Sequence, residues 1–447
     1  MDIVKKFLQQ HSISEIECLV PDMTGNARGK FLPTRKFIAE PRARLPESIL
    51  IQTVTGDWSE EHDQLVDPAD RDMVLQPDPS TLRLAPWAKE PTAQLIFDCY
   101  DSEGNQHPLS TRSVLRRVLA LYEAEGLTPV VAPEVEFYLV QKNLDPDYEL
   151  KAPIGRSGRY EVARQSYSID AVNEFDPVID TLYRYCERQA LDVDTLIHES
   201  GAGQMEINFK HGDALALADQ VFTFKRTLRE TALEHDIYAT FMAKPMEREP
   251  GSSMHIHQSL IDSRTGRNLF AGDNGRFSDR FYHYIGGLQK YVPAAIGFFA
   301  PNVNSYRRFV PDIAAPINLQ WGLDNRTTGL RVPDSPREAT RIENRFAGAD
   351  ANPYLAIALS LACGYLGMKE QLQPSAPAEG SAYGHNSRVE IARTLEEGLR
   401  LLAACQPLQE ILGERFVRAF IAVKLAEYEA FAKVISSWER EYLLLRV

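Results

Sequence analysis

Residues 128–140 read TPVVAPEVEFYLV, and the alternation in their second half decides what kind of sheet the chain builds. Successive side chains of an extended strand point to opposite faces, so Glu134 and Glu136 share one face while Val135, Phe137 and Leu139 share the other. The apolar face calls for a core. The carboxylate face must be wet or filled by cations, and a solvated strand surface would show the same pattern.

Working outward, the period of two returns in SMHIHQSLI (253–261), which sets His255 and His257 on one face beside Ser259. HESGAGQMEINF (198–209) places Glu199 and Glu206 on either side of a Gly201-Ala202-Gly203 turn, as two strands of a hairpin would. These strands, with YATFMAKP (238–245), alternate with amphipathic helices such as 214–235. Upstream, HPLSTRSVLRRVLALYEAEG opens a helix at Ser110 or Thr111 and stops it at Gly126. Before that, IECLV, KFLP, SILIQTV and AQLIFDCY read as strands separated by Pro, Asp and Gly. The end, 388–445, is apolar every three to four residues and predicts helices packed around the sheet; 374–384 is a Pro/Ala-rich surface loop. The expected class is α+β, a small β domain over residues 1–105 and a large domain over 106–447, its antiparallel sheet flanked by helices.

At 447 residues, two domains are the expectation. Hydrophobic residues at 44% and charged residues at 25% exclude a largely disordered or fibrous chain. A net charge of −13 argues against a general nucleic-acid binder and is compatible with a cationic substrate. Five cysteines lie far apart with no CxxC pair, so neither a zinc knot nor a disulfide framework is indicated. Reduced thiols and the polar N-terminus MDIVKKFLQQ fit a cytoplasmic protein. The most apolar run, 354–368, falls short of the ~20 residues of a membrane span and reads as a buried helix.

Between Arg307 and Arg345 stand seven arginines and no lysine, which suggests bidentate recognition of phosphate or carboxylate; surface ion pairs are the alternative. If the strands above are neighbours, Glu343 joins Glu134, Glu136, Glu199, Glu206 and a histidine. Two like charges ~4 Å apart repel by about 4 kcal/mol at an effective dielectric near 20, so such a set needs divalent ions. Mostly oxygen donors favour Mg²⁺ or Mn²⁺ over zinc. Cations beside arginines imply phosphoryl transfer from a nucleotide, although no GxxxxGK[ST] or kinase signature set is present.

VAPEVEFYL, HESGAGQMEI, GSSMHIHQSL, NSYRRFVP, NRTTGLRVP, RIENRF and ANPYLAIAL, in that order, resemble the type I glutamine synthetase superfamily. The resemblance implies a β-grasp N-terminal domain and two to three divalent ions per site. It assigns Glu136, Glu199 and Glu206 to a first metal and Glu134, His255 and Glu343 to a second. His257, Ser259, Arg331 and Arg341 fall where the family contacts ATP, and Arg326, Arg331 and Arg345 where it does its chemistry. Gly251, Arg308 and Arg345 match the positions that hold glutamate. The implied reaction is γ-glutamyl phosphate formation from L-glutamate and ATP, then displacement by an amine. The implied assembly is a dodecamer with each active site completed by a neighbour's N-terminal domain. No nucleic acid or membrane partner is expected.

Departures from the pattern point to the amine. Glutamine synthetases carry VPGYEAP, whose Glu closes the site over ammonium; here VPDIAAP places Ala314 there. Their DGSS, with its ammonium-binding Asp, is replaced by IQTVTGDWSEEHD (51–63). This double loss resembles the γ-glutamylpolyamine synthetase branch and favours a substituted amine, a polyamine such as putrescine or a monoamine. Pro250 stands where glutamine synthetases usually have Asn, and no clear counterpart of their Tyr-bearing adenylylation loop is present. The acidic run Asp57, Glu60, Glu61, Asp63 beside Trp58 reads first as a solvated loop, with charge and cation–π contact to a distal ammonium as the alternative. Alkylamines arrive protonated, near ~10.4 by analogy with lysine, so another base must replace the lost Glu. Competing readings are an ammonia-using glutamine synthetase, a non-catalytic relative with a structural or regulatory role, and a metal-dependent hydrolase; the last leaves the arginines unexplained.

Overall fold

The computed structural model describes residues 2–162, 164–272, 276–310, 315–383 and 391–447. It is α+β, with two sheets among the described residues. The first sheet comprises β1 (Glu15–Pro21), β2 (Ala27–Pro33), β3 (Ala43–Pro46), β4 (Asp72–Pro77), β5 (Arg83–Leu84) and β6 (Thr92–Tyr100), in the order β2-β1-β6-β4-β3 with β5 on β6. Here β1 and β6 run parallel. SILIQTV is not a strand: Glu47–Ile51 forms a 3-10 helix whose Leu50 and Ile51 are fully buried. Pro46 precedes it, and Ser48 binds Asp70 through its N–H and its hydroxyl. A short apolar run does not distinguish the two structures by periodicity.

The second sheet is built on β7 (Leu127–Gln141), flanked by β9 (Gln204–Phe209) and β12 (Met254–Asp262). β8 (Val193–His198) lies outside β9, while β15 (Ile342–Asn344), β14 (Leu330–Val332) and β13 (Trp321–Leu323) continue beyond β12. β10 (Gly212–Asp213) and β11 (Ile237–Thr240) pair with the two ends of β7. The sheet departs from the antiparallel expectation at its edge, where β13 and β14 run parallel.

Val135, Phe137 and Leu139 are fully buried on the apolar face of β7. Helix Ala214–Glu234 covers that face, with Phe224 edge-on to Phe137 at 6.3 Å and to Phe209 at 5.4 Å. The Asp213 carboxylate caps this helix at the Ala216 N–H, as Ser110 caps Thr111–Glu123 at Ser113. The run 354–368 lies within the buried helix Pro353–Glu370, packed on Asp279–Phe299. Those two helices approach so closely that a Cβ on Gly287 would meet the Cys363 carbonyl oxygen at 2.2 Å. The C-terminal helices pack on helices rather than around the sheet: Leu395–Ala403 lies on Asp279–Phe299, and Glu414–Ala432 lies on Leu395–Ala403, with Phe420 stacked on Phe298 at 4.0 Å. Among the described residues no helix is long and apolar enough to cross a membrane.

Arg112 joins the two sheets. It is 1% exposed and bonds Asp78 and Asp98 of the first sheet region and Asp219 of the helix behind the second. One apolar cluster continues from the first sheet into the second. The carboxylate face of β7 is thus held on a packed support.

Candidate active site

Directly opposed residues of an antiparallel pair project to the same face, so strand register assembles the site. Glu134 lies opposite His255 on β12 and Asn208 on β9; Glu136 lies opposite Glu206. Glu343 lies opposite both His257 and Arg331. Glu199 follows β8, and its N–H donates to the Gln204 carbonyl at 2.8 Å, which turns its side chain to the Glu206 face. The six expected metal ligands are therefore brought together from four strands and one turn.

Two groups of three donors lie with their ligand atoms all within 4.8 Å: Glu134, His257 and Glu343, and Glu134, Glu206 and His255. Glu134 belongs to both. The grouping differs from the family-derived expectation, because His257, assigned to ATP, sits 2.9 Å from a Glu134 oxygen. Glu136 and Glu199 stand beside these groups rather than in them. Glu136 Oε2 already accepts from the Ser253 N–H at 2.8 Å and Gln204 Nε2 at 3.2 Å.

The donor set fits divalent cations. His255 Nδ1 faces the Glu134 and Glu343 carboxylates at 3.5 and 3.6 Å, and Asn208 Oδ1, on the residue opposite Glu134, is buried with no hydrogen-bond partner among the described residues. Such an orphaned oxygen is rare in folded proteins, and a cation held by the neighbouring Glu134 would satisfy it. Burial, then the Glu199 charge, pushes Glu136 up to about 8. Burial, then neighbouring carboxylates, also raises Glu206, and burial with the Glu134 charge raises Glu199. At Glu343 burial is the largest influence and acts upward, but the charges of Arg345, His257 and His255 together outweigh it and the group falls to about 2. At Glu134 burial is likewise outweighed, by His255 and His257, and the carboxyl lies below its ordinary range. Burial, then Arg345, lowers His255 to about 4, leaving its imidazole neutral and able to donate to a metal.

Glu136, raised to about 8, holds its proton near neutrality, so this group binds more protons in the metal-free fold than in the unfolded chain between about 4.3 and 8. Its contribution to stability is fully present below that window and is lost as pH rises through about 8. A divalent cation expels those protons, so the thermal midpoint gained on adding Mn²⁺ should be larger at pH 8 than at pH 6. Calorimetric titration in two buffers of different ionisation enthalpy should register proton release at pH 7; equal apparent heats would contradict it.

Two chambers meet at Glu134 and Asn208, the residues that line both. The first, about 470 Å³, contains Glu136, Glu199, Glu206 and His255 with Arg308, Arg326, Arg331 and Arg345. The second, about 1160 Å³, contains His257, Ser259 and Arg341, with the Arg341 Nε–H donating to His257 Nδ1 at 3.2 Å. Arg331 donates to Glu343 at 2.7 Å and to Asp324 at 2.6 Å, and Arg345 donates to the other Glu343 oxygen. Arg308 is 2% exposed, donates to Ser253 Oγ at 3.0 Å and to the Phe346 carbonyl, and lies against Gly251. A Cβ on Gly251 would meet Arg308 Cγ at 2.4 Å and the Ala243 carbonyl oxygen at 2.6 Å, so only glycine fits without displacing one of them.

The arginine segment is not all site. Arg307 is exposed and lines neither chamber, and Arg337 donates to the Gly272 carbonyl. The acidic run lines neither chamber of its own chain; Glu61 pairs with Arg418 at 3.1 Å, and the Trp58 indole N–H donates to the Ser48 carbonyl. Ala314 lies outside the described residues. Sequence reasoning missed Gln204 and Asn208, although the alternation that exposes Glu206 exposes both. Gln204 donates to the Gly251 carbonyl at 3.0 Å as well as to Glu136, tying two parts of the site together.

Against known proteins, the glutamine synthetase catalytic domain family matches residues 108–443. Gamma-glutamylputrescine synthetase PuuA of Escherichia coli (strain K12) is 33% identical over 99% of this chain and 94% of its own. Glutamate–isopropylamine ligase of a Pseudomonas species is 32% identical over 98% and 96%. A glutamine synthetase of Halobacterium salinarum is 34% identical over 83% of each chain. The solved structure of apo GmaS without ligand superposes with a TM-score of 0.85 at 29% identity, covering 98% of both chains. The chain belongs to the glutamine synthetase superfamily and is similar over nearly its whole length to members named for joining glutamate to amines.

Proposed function

We propose that this chain ligates the γ-carboxylate of L-glutamate to an amine bearing a carbon substituent, using ATP and forming ADP. The observation that carries the ligase is the pair of chambers meeting at a carboxylate waist, with arginines concentrated in one of them. A hydrolase would need the waist but not two chambers. The substituted amine is supported by Ala314 in place of the family's flap Glu and by the reach of the amine-ligase matches. The glutamine synthetase of Halobacterium has similar identity over a smaller share of the chain.

In this reading ATP occupies the larger chamber, with Arg341, His257 and Ser259 along it and its γ-phosphate at the waist. Glutamate occupies the smaller one, its carboxylates facing Arg308 and Arg345 beside Gly251. Mg²⁺ or Mn²⁺ held by Glu134, Glu136, Glu199, Glu206, His255 and Glu343 would supply charge neutralisation for the phosphates. The γ-carboxylate oxygen attacks the terminal phosphorus and ADP leaves. Arg326 and Arg331, which border the same chamber, would hold the transferred phosphoryl oxygens. The alkylammonium first gives up a proton, the freed nitrogen attacks the acyl carbon, the C–O bond to phosphate breaks with release of inorganic phosphate, and the nitrogen loses a second proton. A division at residues 105 and 106 and a double-ringed dodecamer belong to the same reading.

The test is phosphate release from ATP with L-glutamate and Mg²⁺ or Mn²⁺ across ammonium, ethylamine, ethanolamine, isopropylamine, putrescine and spermidine, with product masses. Release with substituted amines and a product heavier by one glutamyl unit is the expected result. Release with ammonium alone would make the chain a glutamine synthetase, and none with any amine would remove the ligase reading.

A further inference from the structure

The backbone of Tyr167, in the wall of the smaller chamber, has φ of 61°. Bulky side chains rarely enter that left-handed region, where glycine or asparagine would carry far less strain, and such outliers gather where a ligand is handled. Two contacts pin the strained segment. The Tyr167 N–H donates to the His198 carbonyl at 2.8 Å, and the Ser166 and Ser200 hydroxyls are 2.8 Å apart. The side chain, by contrast, has no hydrogen-bond or ring partner among the described residues, and the residue is 63% exposed. Among the described residues nothing bonds to or stacks on the ring, while the backbone at its root is held in a strained conformation.

What the ring faces follows from the division of the chamber. The arginines that suit an acid come from the segment 307–345, whereas Tyr167 comes from a segment bonded to the turn that carries Glu199. The turn to which it is bonded adds Ile197, Glu199 and Ser200 to the same wall, an aliphatic side chain and a carboxylate but no cation. An aromatic face beside an aliphatic side chain packs hydrocarbon and attracts an ammonium group; it offers nothing to a carboxylate.

Resting on the ligase reading above, we infer that Tyr167 receives the carbon skeleton of the amine, so that the substrate class is alkylamines and a nucleophile without a carbon tail gains nothing from this residue. The test compares steady-state rates of the full chain and two variants with hydroxylamine, ethylamine, isopropylamine and putrescine. Tyr167→Asn removes the ring but tolerates the left-handed backbone; Tyr167→Phe keeps the ring. The Asn variant should lose about tenfold in kcat/KM for the alkylamines, through KM, with hydroxylamine, glutamate and ATP changed by less than about twofold. The Phe variant should keep wild-type selectivity. Equal losses with hydroxylamine and alkylamines, or no loss with either, would overturn the inference. A wild-type chain that glutamylates no alkylamine rejects the ligase reading itself, before either variant is compared.

Discussion

Glu343→Gln is expected to lower ATP turnover on the order of 10³-fold while leaving the fold in place. Glu343 is 1% exposed and stands where three functions coincide. It is a donor in the group with Glu134 and His257, it orients Arg331, and it orients Arg345. Gln keeps the shape but removes the charge and one acceptor, so the pocket holds a cation less tightly and both guanidiniums lose their ionic partner. Glu343→Ala should be worse in a distinguishable way. Removing one member of a buried ion pair costs about 3–5 kcal/mol, so Ala should lower thermal stability as well as turnover. Phosphate release read beside thermal midpoints separates the two effects. Wild-type turnover in the Gln variant would dismiss the site assignment.

How much of this site could be read from the sequence depends on the range of the pattern. Glu134 with Glu136, and His255 with His257, are legible because a period of two is local. Their convergence is not, since it depends on β12 pairing with β7 and β15 across more than eighty residues of chain. Family resemblance supplied Glu343; alternation would not have found it on the three-residue β15. The missed residues divide the same way. Gln204 and Asn208 follow from the alternation already used for Glu206, so their omission was avoidable. That Arg307 faces solvent while Arg308 is buried follows from the 3-10 turn Val303–Arg308, whose geometry no spacing announced. The parallel edge of β13 and β14, and the stacking of the C-terminal helices on other helices, are tertiary choices for which several packings share one hydrophobic pattern.

Arg112→Met should produce the largest loss of stability among single substitutions away from the site. Arg112 Nε donates to Asp219 at 2.9 Å, Nη1 to Asp98 at 2.5 Å, and Nη2 to Asp78 and Asp219 at 2.7 Å each. The Tyr354 hydroxyl donates to the same Asp219 at 2.6 Å. Burial opposes the charged guanidinium, but the Asp219 bond and charge outweigh it and hold Arg112 above its ordinary pKa. Without the cation, three carboxylates remain around an apolar side chain, and Asp219 at 3% exposure has no route to water. The loss should be about 3–5 kcal/mol, read as a fall in the denaturant midpoint. Its sign with pH is fixed. Asp219 in the variant would have a folded pKa raised further than in the wild type, so the deficit should be smallest at low pH, where the group is protonated in both folds, and grow as pH rises through the wild type's already raised folded pKa. Adding Asp219→Asn should return part of the lost stability, because it removes the buried charge that lacks a partner. If the double variant is no more stable than Arg112→Met at pH 7, the cluster does not act through charge. Because Asp78 and Asp98 belong to the first sheet region and Asp219 to the helix behind the second, this cluster ties the first sheet to the support of the carboxylate face.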